Sequence, residues 1–196
     1  MSTLASNFPL PNPNPSRPSR WALVRAWLPT FLWIGVIACE STSLFTSTNT
    51  QGWLYRILIH INLWLAMHAP AINAVGRKVG HFVGYGIMGS FAFLGWTELF
   101  RYKRESYLAS AGKLTRVTPT WQLRAAALAV LVTFVVASMD EYHQSFVPGR
   151  GPAFHDVLLD TSGAVIALSL IYWFWKSRTK ARGPGAPLNS ELAPEV

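Results

Sequence analysis

Residues 122–150 read QLRAAALAVLVTFVVASMDEYHQSFVPGR. After Arg124 the chain runs to Met139 without a charge, then places Asp140 and Glu141 side by side. Val147, Pro148, Gly149 and Arg150 follow as a turn, since proline fixes φ and glycine permits tight geometry. A second apolar run covers 153–175, with Asp156 and Asp160 near its start. Spans read at 122–139, the shorter, and at 153–175 are each close to the ~20 residues that carry a helix across a ~30 Å hydrocarbon core at about 1.5 Å per residue. The pair therefore reads as a helical hairpin through a membrane, with its acidic residues gathered at the hairpin's tip.

Composition extends that reading to the whole chain. Of 196 residues, 51% are hydrophobic and 13% are charged, against ~25% charged in an average soluble domain. That excludes a disordered chain and argues against an ordinary soluble fold. Mean hydropathy is only +0.24 because both ends are polar. Proline at 9, 11, 13, 15 and 18 forbids a helix in the N-terminal tail, and 184, 187 and 194 are also proline. The expected organisation is a disordered tail over 1–20, a transmembrane domain over 21–176 and a disordered tail over 177–196. Two further spans are expected at 21–39 and 79–100. The fold class is all-α: an integral membrane bundle of four transmembrane helices plus an interfacial helix.

That last helix is expected over 53–69 (WLYRILIHINLWLAMHA), which is apolar but carries Arg56, His60, Asn62 and His68. It fits the membrane surface better than its core, although a re-entrant or spanning segment stays open. Cys39 is the single cysteine, so no intramolecular disulfide or cysteine-based zinc site is available. The run Val36-Ile37-Ala38-Cys39 loosely matches a lipoprotein cleavage box, but Pro29 and the polar tail before the run favour an uncleaved helix.

The net charge of +8 points to an orientation. With four spans and a cytoplasmic N-terminus, thirteen lysines and arginines fall inside and four (Arg56, Arg77, Lys78 and Arg150) fall outside. Such asymmetry is the usual signal for the cytoplasmic side. Trp21, Trp96, Trp121, Trp173 and Trp175 fall near inner ends of spans, where an interfacial aromatic belt belongs. Both termini are expected in the cytoplasm of a bacterial inner membrane. The basic loop over 100–124 is a topogenic loop in this reading, and no nucleic-acid partner is expected.

Ionisable side chains in or beside a span are costly unless paired or wetted, so each is a site candidate. Lys78, His81 and Tyr85 share one face of the second span, at i, i+3 and i, i+4 spacing. Asp140, Glu141 and Gln144 close the third span. Arg150 occupies the turn, and Asp156 and Asp160 open the fourth span. All lie at outer ends, which suggests one shared ligand-binding cluster. Gly84, Gly86 and Gly89 would let the helices approach closely enough to pair these charges. A network that merely holds helices together is the simpler alternative. Four carboxylates beside Arg150 favour a site, with Arg150 placed for an anion.

Two stretches carry a resemblance. One is Arg77-Lys78-Val79-Gly80-His81-Phe82-Val83-Gly84-Tyr85. The other runs from Asp140-Glu141 through Gln144 and Phe146 to Pro148-Gly149-Arg150, with Asp156, Asp160 and Gly163 downstream. Together they resemble the VanZ-like family of small bacterial membrane proteins, which pairs K-x-x-H-F-x-x-Y with D-E-x-x-Q-x-F-x-P-G-R. Asp160 stands where that family more often has Asn. Glu40, Ser41 and Asn49-Thr50 fit a subgroup pattern. The resemblance implies a cell-envelope protein of a family named for an accessory determinant of glycopeptide resistance, chiefly to teicoplanin. It supplies no reaction.

Two functions follow as expectations. The first is binding or modulation of an envelope lipid, a lipid-linked wall precursor or a glycopeptide, through Lys78, His81, Tyr85, Asp140, Glu141, Gln144, Arg150, Asp156 and Asp160. The alternative is a membrane enzyme acting on a lipid-linked substrate, with His81 as general base and Asp140 or Glu141 as its partner. No nucleophile elbow or phosphate loop is present. No metal or other cofactor is expected, because His143 and His155 fall on flanks and Glu141-x-His143 is not a same-face spacing. A transporter is disfavoured because the polar residues all lie in one leaflet.

Overall fold

In the computed structural model, residues 20–111, 122–147 and 153–181 are described. The expected tails and Arg150 lie outside them, apart from Arg20 and 177–181. All regular elements are helical. They are α1 (Arg20–Glu40), a short 3₁₀ turn (Ser43–Phe45), α2 (Ser47–Ile59), α3 (Leu63–Met67), α4 (Ala69–Ser110), α5 (Leu123–Gln144) and α6 (Phe154–Ala181). The last helix continues six residues past Trp175, beyond the expected boundary at 176.

The helix α4 is the axis of the bundle, with α1, α5 and α6 packed around it. Its 42 residues make a rod of about 60 Å at ~1.5 Å per residue, twice the thickness of a ~30 Å hydrocarbon core. Contacts fix the directions of its neighbours. Trp27 meets Trp96 and the Trp33 indole donates to the Gly84 carbonyl at 2.8 Å, so α1 runs antiparallel to α4. His81 faces Asp160 and Gly89 faces Ala164, so α6 runs parallel to α4. The end of α1, the first half of α4, the end of α5 and the start of α6 therefore meet at one level.

Two apolar layers stack along the axis. The lower joins Phe93 and Ala92 to Ala125, Ala126, Ala129 and Leu168. The upper joins Tyr85 and Met88 to Ile37, Ala137 and Val157. Small residues allow this closeness, as in other membrane bundles. A side chain on Gly163 would overlap the Phe82 carbonyl oxygen, and one on Gly89 would stand 2.6 Å from the Ala164 methyl. Gly86 is the third member of this contact, but Gly84 faces open space and contributes only its carbonyl.

Three helices are long and apolar enough to cross a membrane: Arg20–Glu40, Leu123–Gln144 and the stretch Phe154–Arg178 of α6. The expected span at 79–100 lies within α4 but does not stand out in the same way. Gly80, Gly84, Gly86, Gly89 and Gly95, with His81 and Tyr85, dilute its apolar character. The expected single helix over 53–69 is two pieces. The first ends at Ile59 with His60 as its cap, and Asn62 caps the second, accepting from the Trp64 amide at 2.7 Å. At 13 and 5 residues, α2 and α3 are both too short to span.

Candidate functional site

Helical spacing alone sets out the walls of the site. On α4, Asn73, Arg77 and His81 succeed one another at i, i+4, and Lys78 stands beside them. On α6, Asp156 and Asp160 are also one turn apart. On α5, Asp140 and Gln144 share a face and Glu141 is turned toward the next. Where the helices meet they enclose a cavity of about 400 Å³. Lys78, His81, Glu141, Gln144, Asp156 and Asp160 all line it. Ser47 and Gln51 of α2 close one side. That helix is tied to α4 by Asn73, which donates to the Ser47 carbonyl at 3.1 Å, and by Arg77, which donates to the Phe45 carbonyl at 2.5 Å.

Charges in the cavity are paired across helices. His81 Nδ1 lies 3.4 Å from Asp160 Oδ2. The Lys78 ammonium is 3.9 Å from Asp156 Oδ1, a loose pair whose lysine is 60% exposed. Glu141 accepts a hydrogen bond from the Ala153 amide at 2.5 Å, so it anchors the entry to α6. Asp160 is only 4% exposed, and its Oδ1 has no hydrogen-bond partner among the described residues. A buried acceptor left this way is costly unless something fills the place.

Tyr85 and Asp140 differ from the rest because they do not line the cavity. Tyr85 is 1% exposed and sits in the upper apolar layer, one turn below His81, where its hydroxyl has no hydrogen-bond partner among the described residues. Asp140 is 8% exposed. It accepts from the Ser41 hydroxyl and, at 2.7 Å, from the Gln144 amide. Ser41, Asp140 and Gln144 form a polar floor that joins the end of α1 to α5 beneath the cavity. Arg150 lies outside the described residues. His143 is not a wall of the cavity, and His155 is on the flank, 3.2 Å from Asp156. Among the described residues no group of three or more His, Cys, Asp or Glu is placed to hold a metal ion.

Sequence reading missed Ser47, Gln51 and Asn73 as walls. They belong to the extension of α4 and to a helix whose placement no spacing rule gives. Ser41 was marked only by its subgroup pattern, and its partner Asp140 lies 99 residues away.

A second groove, of about 490 Å³, adjoins the cavity on the other side of α4. Phe45, Leu54, Ile57 and Ile72 give it an apolar wall. Asn73, Arg77 and His81 line both spaces, so the two share a wall along one edge of α4.

No curated protein and no solved structure matches the chain. Residues 26–176 match the VanZ/LLP1 family. This stretch contains every residue that lines the cavity. The sequence signatures at 77–85 and 140–163 thus belong to a match across most of the chain, and the chain is a membrane protein of the VanZ/LLP1 family.

Proposed function

We propose that the chain is a four-span protein of the bacterial inner membrane, with both termini cytoplasmic, whose outer-leaflet cavity binds or modulates an envelope amphiphile. The carrying observation is the cavity, where ten polar or charged residues from four helices, six of them expected from the sequence, face a common space. A purely structural network would close on itself, as the Ser41, Asp140 and Gln144 floor does. The walls above it leave Lys78 exposed and one Asp160 oxygen unpaired. Charge asymmetry supports the outer placement, since the bases of 101–104 and 176–178 lie at the opposite end of the bundle.

An envelope lipid, a lipid-linked wall precursor and a glycopeptide's lipid anchor all fit such a site, and the family association favours a role in glycopeptide resistance. The test replaces His81 and Arg150 by Ala and compares teicoplanin susceptibility and envelope integrity at equal protein level. Loss of the phenotype is expected, and full function in the double variant would sink the reading.

The enzyme alternative keeps His81 but loses support for Asp140. That carboxylate is turned to Ser41 and Gln144 beneath the cavity. Glu141 faces the cavity but is engaged by the Ala153 amide. Absence of turnover on lipid-linked substrates, with binding retained, is therefore the expected result.

A further inference from the structure

The ligand's chemistry can be narrowed, provided that the cavity is a binding site as proposed above. Its walls carry both signs. Arg77 and Lys78 stand on α4, while Asp156 and Asp160 stand opposite on α6 with Glu141 beside them. A ligand bearing only phosphate would meet three carboxylates, and a purely cationic one would meet the two bases. Like charges at such range are penalised heavily in a partly dry site. A headgroup with an anion and a cation on neighbouring atoms satisfies both walls. The carboxylates of Asp156 and Asp160 specify the cation further, because each accepts hydrogen bonds and is best met by an N–H donor. A primary ammonium has three such donors, and a quaternary ammonium has none.

The apolar groove lies against this cavity across Arg77 and His81 and reaches Leu54, Ile57 and Ile72. A molecule occupying both spaces is polar at one end and hydrocarbon at the other. We infer that the cavity and groove together hold one membrane phospholipid whose headgroup joins a phosphate to a primary ammonium. The phosphate lies on Arg77 and Lys78, the ammonium lies between Asp156 and Asp160, and one acyl chain lies along α2. Opposite charges arranged this way match potential to potential and fix the headgroup's direction.

The test uses the purified full-length chain in mixed micelles. These contain equal amounts of phosphatidylethanolamine, phosphatidylcholine and phosphatidylglycerol with identical acyl chains, and retained lipid is read by native mass spectrometry. The ethanolamine lipid should be retained over each of the others by about tenfold, as expected for charge-assisted hydrogen bonds made by one headgroup alone. Asp156→Asn and Asp160→Asn should each reduce its advantage over phosphatidylcholine. Asp156 is the more exposed of the two and its replacement spares the His81 pair, so it keeps the test open if Asp160→Asn fails to fold. Lys78→Gln should weaken both zwitterionic lipids, and Ile57→Trp should weaken all three by filling the groove.

Equal retention of the three lipids, or a preference that survives Asp156→Asn, would overturn the assignment. Equal competition by soluble glycerophosphoethanolamine would overturn the groove's part in it. These outcomes are separable from failure of the broader proposal. Headgroup preference with no phenotype in the His81 and Arg150 variant leaves the lipid site and removes the envelope function. A phenotype without headgroup preference does the reverse.

Discussion

Asp140 illustrates what one residue's neighbours decide. Its position after an apolar run marks it as costly, and the run itself gives no indication of where the cost is met. The Ser41 hydroxyl and the Gln144 amide meet it on the α1 side of α5. Spacing places Asp140 and Gln144 on one face, but no spacing rule says which neighbour that face meets. For this reason Asp140 is legible in the sequence as important, but its pairing with Ser41 is not. Removing one partner from a buried charge costs about 3–5 kcal/mol, more than the pair contributes on balance. Asp140→Ala leaves no charge but strands Ser41 and Gln144, and should cost roughly 1–3 kcal/mol for the unsatisfied groups. Ser41→Ala leaves the buried carboxylate short of a donor and should be at least as damaging. Thermal unfolding of the two variants in detergent checks the order. If Ser41→Ala is silent, the floor is not a structural element of the bundle.

At the scale of helices, the contact between α4 and α6 depends on where glycines sit rather than on how many there are. Gly80, Gly84, Gly86 and Gly89 look alike in sequence, but only Gly86 and Gly89 touch α6, and Gly163 answers them from the other side. Gly163→Ala must push the helices apart against backbone, which also separates His81 from Asp160. A large loss of thermal stability is expected, on the order of several kcal/mol, as for overpacking at a rigid contact. Gly84→Ala meets nothing and should be neutral or stabilising by roughly 0.5–1 kcal/mol from helix propensity. A measured loss in Gly84→Ala as large as in Gly163→Ala would contradict this packing. The same glycines explain why the span within α4 was harder to see by hydropathy than by pattern. A central helix buys close approach with residues that lower its apolar score. The break at Asn62 was legible only in hindsight, because a cap is recognised once the turn before it is known.

At the scale of the molecule, the number of crossings decides where the cavity faces. Three helices have the length and apolarity to span, and α4 runs against all of them through a shared core. If α4 also crosses, its first ten residues, together with α2 and α3, lie on the outer side, and Arg101, Lys103 and Arg104 lie inside. Gln51 and Glu105 then stand on opposite sides of the bilayer. Single cysteines at these two positions, in a chain whose Cys39 is replaced by Ala, separate the possibilities. A membrane-impermeant maleimide applied to intact spheroplasts should label the Gln51→Cys chain at once. The Glu105→Cys chain should be labelled only after permeabilisation. Labelling of both from outside would mean that α4 does not cross, and labelling of Glu105→Cys alone would invert the bundle. The inverted result would move the cavity away from the outer leaflet and remove envelope ligands from its reach. The antiparallel contacts of α1 with α4 favour the first outcome, since α1 is long and apolar enough to span and Trp27 and Trp33 hold it against α4 between Gly84 and Trp96.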